Sequence, residues 1–118
     1  MNNSKIFCFD IDNTICKTKS NYYNKSKPDK NAIKIINKLF DNGHKIIFFT
    51  ARGMGTFKEN KTQIKKKYYN FTLKQLKRWN IKFHKLYIFK PSYDFIIDDK
   101  SIFYNKRWIN NLKKFCKK

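Results

Sequence analysis

The chain has 118 residues, the size of one domain spanning 1–118, and its 41% hydrophobic and 18% aromatic content can fill a core. No apolar run approaches the roughly 20 residues that cross a bilayer, and the opening Met-Asn-Asn-Ser-Lys lacks a signal-peptide pattern, so no membrane partner is expected. The formal charge of +20, from 28 Lys+Arg against 8 Asp+Glu, raises the question of a nucleic-acid face. Nearly all of it is lysine amid abundant Asn, Ile, Tyr and Phe, as A/T-rich codons produce, and the only arginines are Arg52, Arg78 and Arg107. A solvated basic surface that draws in anionic ligands is the preferred reading, with nucleic acid ranked second.

The apolar run from about Lys5 to Ile11 predicts a strand buried on both faces, with Asp10 and Asp12 at its end. Residues 14–27 are polar and aromatic and predict a loop or short flap over that end, too short for a domain. Pro28-Asp29 opens a helix whose Ala32, Ile33, Ile36, Leu39 and Phe40 share one face, closed by Asn42-Gly43. Lys45 to Thr50 is a second buried strand, so the unit is βαβ and sets Thr50, Ala51 and Arg52 near the first two acids. Gly53 to Thr56 reads as a flexible turn, and the Lys-rich stretch to Asn70 as a ragged helix. Thr72-Leu-Lys-Gln75 matches a capping box for a helix carrying Leu73, Leu76 and Trp79 inward, stopped at Asn80. Leu86–Phe89 is a third strand ending at Lys90-Pro91, and Tyr93–Ile97 a fourth ending on Asp98-Asp99. Trp108, Ile109, Leu112 and Phe115 mark a last helix with a frayed lysine-rich end.

This order of elements defines an α/β chain, a Rossmann-like three-layer sandwich on a mostly parallel sheet. Clustered carboxylates at one sheet edge repel one another and call for a cation. With no His or Cys among them, the hard oxygen set points to Mg²⁺. Lys90 and Thr50 add donors for a phosphate, which outlines a phosphoryl-transfer site. His44 and His84 flank strand starts at the opposite edge and read as structural or solvent-facing. Gly53 and Gly55 read as permitting positive φ. Tyr22 and Tyr23 either stack on a sugar or base or pack on the core. Cys8, Cys16 and Cys116 are odd in number and contain no Cys-x-x-Cys, which predicts reduced thiols in a cytoplasmic setting.

Phe-Asp-Ile-Asp-Asn-Thr, Thr50 after Ile-Ile-Phe-Phe, Lys90 before Pro91, and Asp98-Asp99 after Phe-Ile-Ile stand in order at strand ends. This set resembles the four motifs of the haloacid dehalogenase (HAD) superfamily. Phe-Thr-Ala-Arg-Gly-Met-Gly-Thr and Lys-Pro-Ser-Tyr-Asp-x-x-Ile-Asp-Asp-Lys are similar to its small phosphatases of capsular and surface-polysaccharide biosynthesis. The resemblance implies a HAD-like fold and a phosphomonoesterase acting through an aspartyl phosphate. Asp10 would be the nucleophile, Asp12 the acid/base, and Thr50 and Lys90 the holders of phosphoryl oxygens. Mg²⁺ would be held by Asp10, by the Asp12 backbone carbonyl, by Asp98, and by Asp99 directly or through a water. Asn13 and Ala51 would line the substrate site. Arg52 reads equally as a grip on substrate or as a surface arginine in a turn.

Neither gap between motifs holds a cap domain, so the site should be open. It would be covered by a homo-oligomeric neighbour or serve a large substrate. The expected partner is a small phosphorylated sugar, polyol or nucleotide-linked precursor. A phosphatase for nucleic-acid 5′ or 3′ ends keeps the chemistry and uses the charge. A basic nucleic-acid-binding module without turnover is the reading of another class, and the intact set of acids argues against it.

Overall fold

The computed structural model describes residues 4–55, 57–58 and 60–116. The expected turn at Thr56 and the lysine end at 117–118 lie outside them. Three parallel strands form the main sheet: β1 (Ile6–Phe9), β4 (Lys45–Phe49) and β5 (Lys85–Tyr87), in the order β1-β4-β5. The register pairs Ile6 with Lys45 and Phe9 with Phe48, then Phe48 with Leu86. Parallel neighbours need a crossover, and α1 (Lys30–Asp41) supplies it between β1 and β4. Asp29 caps this helix by accepting from the amides of Asn31 and Ala32. Ala32, Ile35, Ile36 and Leu39 are its buried face. Gly43, at φ +92°, ends it in the left-handed conformation that glycine adopts freely.

The flap after β1 is a hairpin, β2 (Cys16–Lys17) against β3 (Lys27–Pro28), with a 3₁₀ turn at Tyr23–Lys25. The lysine-rich stretch is helical: α2 (Lys61–Ile64), a π turn (Lys65–Tyr69) and α3 (Asn70–Arg78) run on without a break. The expected capping box at Thr72 is therefore corrected. Thr72 and Gln75 lie inside a helix already begun at Asn60, whose side chain accepts from the Gln63 amide. Both are buried and face inward as polar groups. Asn80 does stop the helix at φ +61°. α4 (Trp108–Leu112) continues as a 3₁₀ turn to Cys116 and packs against α1.

The core joins both sides of the chain: Phe9, Ile36, Leu39, Phe48, Leu76, Leu86, Trp108 and Leu112 form one buried cluster. The histidines tie the sheet's lower edge, as expected. His44 Nδ1 accepts from the Lys5 amide at 3.1 Å, so its Nε2 donates to the Phe115 carbonyl at 2.9 Å. His84 Nδ1 accepts from the Ile46 amide at 3.0 Å.

The fourth strand is the other correction. Tyr93–Ile97 pairs with nothing among the described residues, and Phe95 and Ile97 are 90% and 99% exposed. Its apolar pattern suits a buried strand, but a strand also needs a neighbour's backbone. Here β1 stands at the edge of its sheet and the segment lies across a cavity from it, of about 900 Å³.

Candidate active site

Asp10 follows the last residue of β1, so the strand delivers its carboxylate to the sheet's carboxyl end. The turn beyond is held by the amides of Thr14 and Ile15 donating to the Ile11 carbonyl. Asn13, at its corner, adopts φ +63°. Thr14 Oγ1 then reaches back to Asp10 Oδ2 at 3.0 Å, while Lys90 Nζ stands 3.3 Å from Oδ1. Lys90 is placed by its own amide, which donates to the Thr50 carbonyl at 3.1 Å, just as the Thr50 amide donates to Tyr87. The ends of β1, β4 and β5 are thereby stitched together. Burial lowers the Lys90 pKa, but interaction with Tyr93 and the charge of Asp10 outweigh it and leave it above the ordinary lysine value. Lys90 thus remains a full cation facing the nucleophile candidate.

Asp12 has a different environment. Arg52 Nε donates to its Oδ2 and Nη2 to its Oδ1, both at 2.9 Å. Thr18 Oγ1 adds a 2.6 Å bond to Oδ1. Arg52 Nη1 also donates to Thr72 Oγ1 at 3.2 Å, and the guanidinium lies 4.7 Å from the Tyr23 ring centre. Burial raises the Tyr23 phenol, Asp12 adds to the rise, and the ring meets the cation as a neutral face. Arg52 is 1% exposed. This corrects the expectation of a surface arginine in a turn, because the guanidinium is enclosed.

Thr50 is buried and its Oγ1 accepts from the Arg52 amide at 3.2 Å. Ala51 is half-buried beside it, and Asn13 is exposed with its Oδ1 accepting from the Thr18 amide. The structure thus brings together Asp10, Asp12, Thr50, Arg52 and Lys90. Asp98 lines the same cavity as Asp10 and Lys90, but its carboxylate accepts from the Lys100 amide at 2.9 Å within its own turn. Asp99 is exposed. Burial raises the Cys8 thiol, Lys90 opposes this, and Asp10 and Asp98 add to the rise, which keeps Cys8 a thiol beside the cavity.

The donor types suit a hard divalent ion, but their placement does not. Among the described residues no three Asp, Glu, His or Cys side chains gather as a metal site. The Arg52 pairing engages only the Asp12 side chain, and Asp98 and Asp99 follow the unpaired segment. The expected Mg²⁺ set of Asp10, Asp98, Asp99 and the Asp12 backbone carbonyl is therefore not gathered among the described residues in this conformation.

Thr14, Thr18, Thr72 and Gln75 were not singled out by sequence as site residues. Thr14 carries a signal as the last residue of Asp-x-Asp-x-Thr. The others carry none, since nothing in their spacing tells that they point at Asp12, Arg52 or the Tyr23 carbonyl.

A parallel α/β sheet with acids and a lysine at its carboxyl end is a Rossmann-like fold of the HAD type. A crystal structure of a Vibrio cholerae protein is similar to it, with a TM-score of 0.79 at 22% identity, covering 93% of this chain and 97% of that one. No curated protein matches the chain. Residues 7–73, more than half of the sequence, match the haloacid dehalogenase-like hydrolase family. The chain belongs to that family and is a hydrolase, of the phosphatase type in general.

Proposed function

We propose that the chain is a Mg²⁺-dependent phosphomonoesterase acting through an aspartyl phosphate. Its substrate would be a phosphorylated sugar, polyol or nucleotide-linked precursor of polysaccharide biosynthesis. The observation that carries this is Asp10, partly exposed to the cavity and oriented from both sides by Thr14 and Lys90. A carboxylate oxygen of Asp10 attacks phosphorus, and the bond from phosphorus to the alkoxide oxygen breaks. Asp12, two residues on, supplies the proton that the alkoxide takes up. In the second half Asp12 takes a proton from water as that water attacks the phosphoryl group and releases Asp10. Lys90 and Thr50 hold phosphoryl oxygens, and Asn13 and Ala51 line the approach. The Lys90 ammonium eases the meeting of two anions.

Mg²⁺ is the cofactor in this reading, and it would supply further charge neutralisation. Asp10, Asp12, Asp98 and Asp99 are the residues that would hold it, once gathered. Phosphate release is measured over sugar phosphates, nucleotides and oligonucleotide ends, with Mg²⁺ and with a chelator. Turnover of sugar phosphates that the chelator abolishes supports the reading. Turnover restricted to oligonucleotide ends and steeply weakened by salt favours the nucleic-acid-end phosphatase, to which the charge of +20 lends support. Asp10→Asn should reduce turnover to background with the fold intact, and substantial hydrolysis by that variant would end the covalent mechanism. Asp12→Ala should cost about 10²- to 10⁴-fold in kcat.

A further inference from the structure

We infer that Arg52 is a positioning residue that orients the Asp12 carboxylate and ties it to the flap, so that a seated flap and an aimed Asp12 are one state. This rests on the reading of Asp10 and Asp12 as the catalytic pair. A guanidinium is a rigid planar fork, and a bidentate bond fixes a carboxylate's rotation as a single contact does not. Both ends of this fork are themselves fixed. Arg52 Nη1 is held by Thr72 on α3 at 3.2 Å, and its cationic face lies 4.7 Å from Tyr23 on the flap and 5.9 Å from Phe71.

The flap answers from its own side. Thr18 donates to Asp12 Oδ1 and shares a 2.6 Å contact with the Ser26 hydroxyl across the hairpin. Gln75 Nε2 donates to the Tyr23 carbonyl at 2.7 Å, which fastens the hairpin tip to the same helix that holds Arg52. A carboxylate has about four acceptor positions. Two on Oδ1 are taken by Thr18 and Arg52, and one on Oδ2 by Arg52. The position left open is on Oδ2. The fork therefore leaves Oδ2 as the Asp12 oxygen with a free position, and the Asp12 side chain is 20% exposed against 0% for that of Arg52.

The test compares two probes, glycerol phosphate and p-nitrophenyl phosphate, in Mg²⁺ with the full chain. An alkoxide needs a proton to leave, whereas nitrophenolate departs without one. Arg52→Lys, which keeps the charge without the fork, and Thr18→Val, which removes only the hydroxyl donor, should each lower kcat/KM for glycerol phosphate. The loss should exceed that for p-nitrophenyl phosphate by at least about tenfold, a fraction of what a general acid supplies. KM for glycerol phosphate should stay near the wild-type value.

A role in gripping the phosphate, or a purely structural one, lowers both substrates alike, and equal losses in both variants would overturn the inference. Thermal melts of Thr18→Val, the milder change, keep the test readable if Arg52→Lys does not fold. If the wild type is active, Asp10→Asn is inactive and the ratio does not move, this inference alone fails. If the wild type releases phosphate from neither ester, or Asp10→Asn retains activity, the phosphatase reading fails and this one with it.

Discussion

Gly53→Ala should be among the most damaging single-methyl changes available in this chain. Gly53 sits directly after Arg52 at φ +85°, where an L-residue is strained by about 1–2 kcal/mol. An added Cβ would stand 2.7 Å from both Cδ2 and Cε2 of Tyr68 and 3.3 Å from Cγ1 of Ile64. The Tyr68 ring has no free direction of retreat. It is 6% exposed and packs edge-on against Tyr23 at 5.2 Å, with Phe57 at 6.1 Å. Overpacking of this kind costs about 1–3 kcal/mol. The two effects together give a loss of about 2–5 kcal/mol, a large part of the roughly 5–15 kcal/mol that holds a domain folded.

Urea unfolding measures the loss directly, as a lower midpoint at unchanged slope. A double-mutant cycle with Tyr68→Ala separates the causes. The clash disappears when the ring is gone and the backbone strain does not, so the coupling should be about 1–3 kcal/mol in favour of the double mutant. A Gly53→Ala protein within about 0.5 kcal/mol of wild type, the range of innocuous surface changes, would refute the packing described around Tyr68.

Lys90→Met tests the site's charge through pH. The folded Lys90 pKa lies above the ordinary 10.5, so the ion pair's contribution is fully present below that value and is lost as pH rises through the folded pKa. The difference in unfolding free energy between wild type and Lys90→Met should be constant from neutral to mildly alkaline pH and then shrink. A difference that widens with alkalinity would contradict the assignment. Asp29→Ala should lower stability by about 1 kcal/mol by leaving the Asn31 and Ala32 amides uncapped, measurable as a urea-midpoint shift.

The first βαβ unit was legible because its signals are local. Apolar runs, an acid at a helix start and a Gly at a helix end act over a few residues, and Ile6–Phe9, Asp29 and Gly43 took the places these signals implied. The expected burial of β1 on both faces is corrected: at the sheet edge Ile6 and Cys8 are exposed and only Phe9 is buried. Asn80 was legible for the same reason. The expected strand at Tyr93–Ile97 did not form because an apolar run states what a segment tolerates and not whether an edge accepts it. Thr72 and Gln75 were misread because a capping box matters only where amides lack partners, and here the preceding helical turns already satisfy them. The arrival of Lys90 at the same sheet end as Asp10 followed from which strand ends adjoin. The Arg52–Asp12 fork did not, since a 40-residue separation gives no clue to where a long side chain turns.

The open edge of β1 and the bare Phe95 and Ile97 side chains have a bearing on handling in solution. An unpaired strand edge and bare apolar groups each invite molecules to stick together. What keeps them apart is mutual repulsion among like-charged copies carrying +20 each. Dissolved electrolyte shortens the reach of that repulsion from about 10 Å at 0.1 M to about 3 Å at 1 M. Concentrated brine should therefore cloud this protein where dilute buffer leaves it clear.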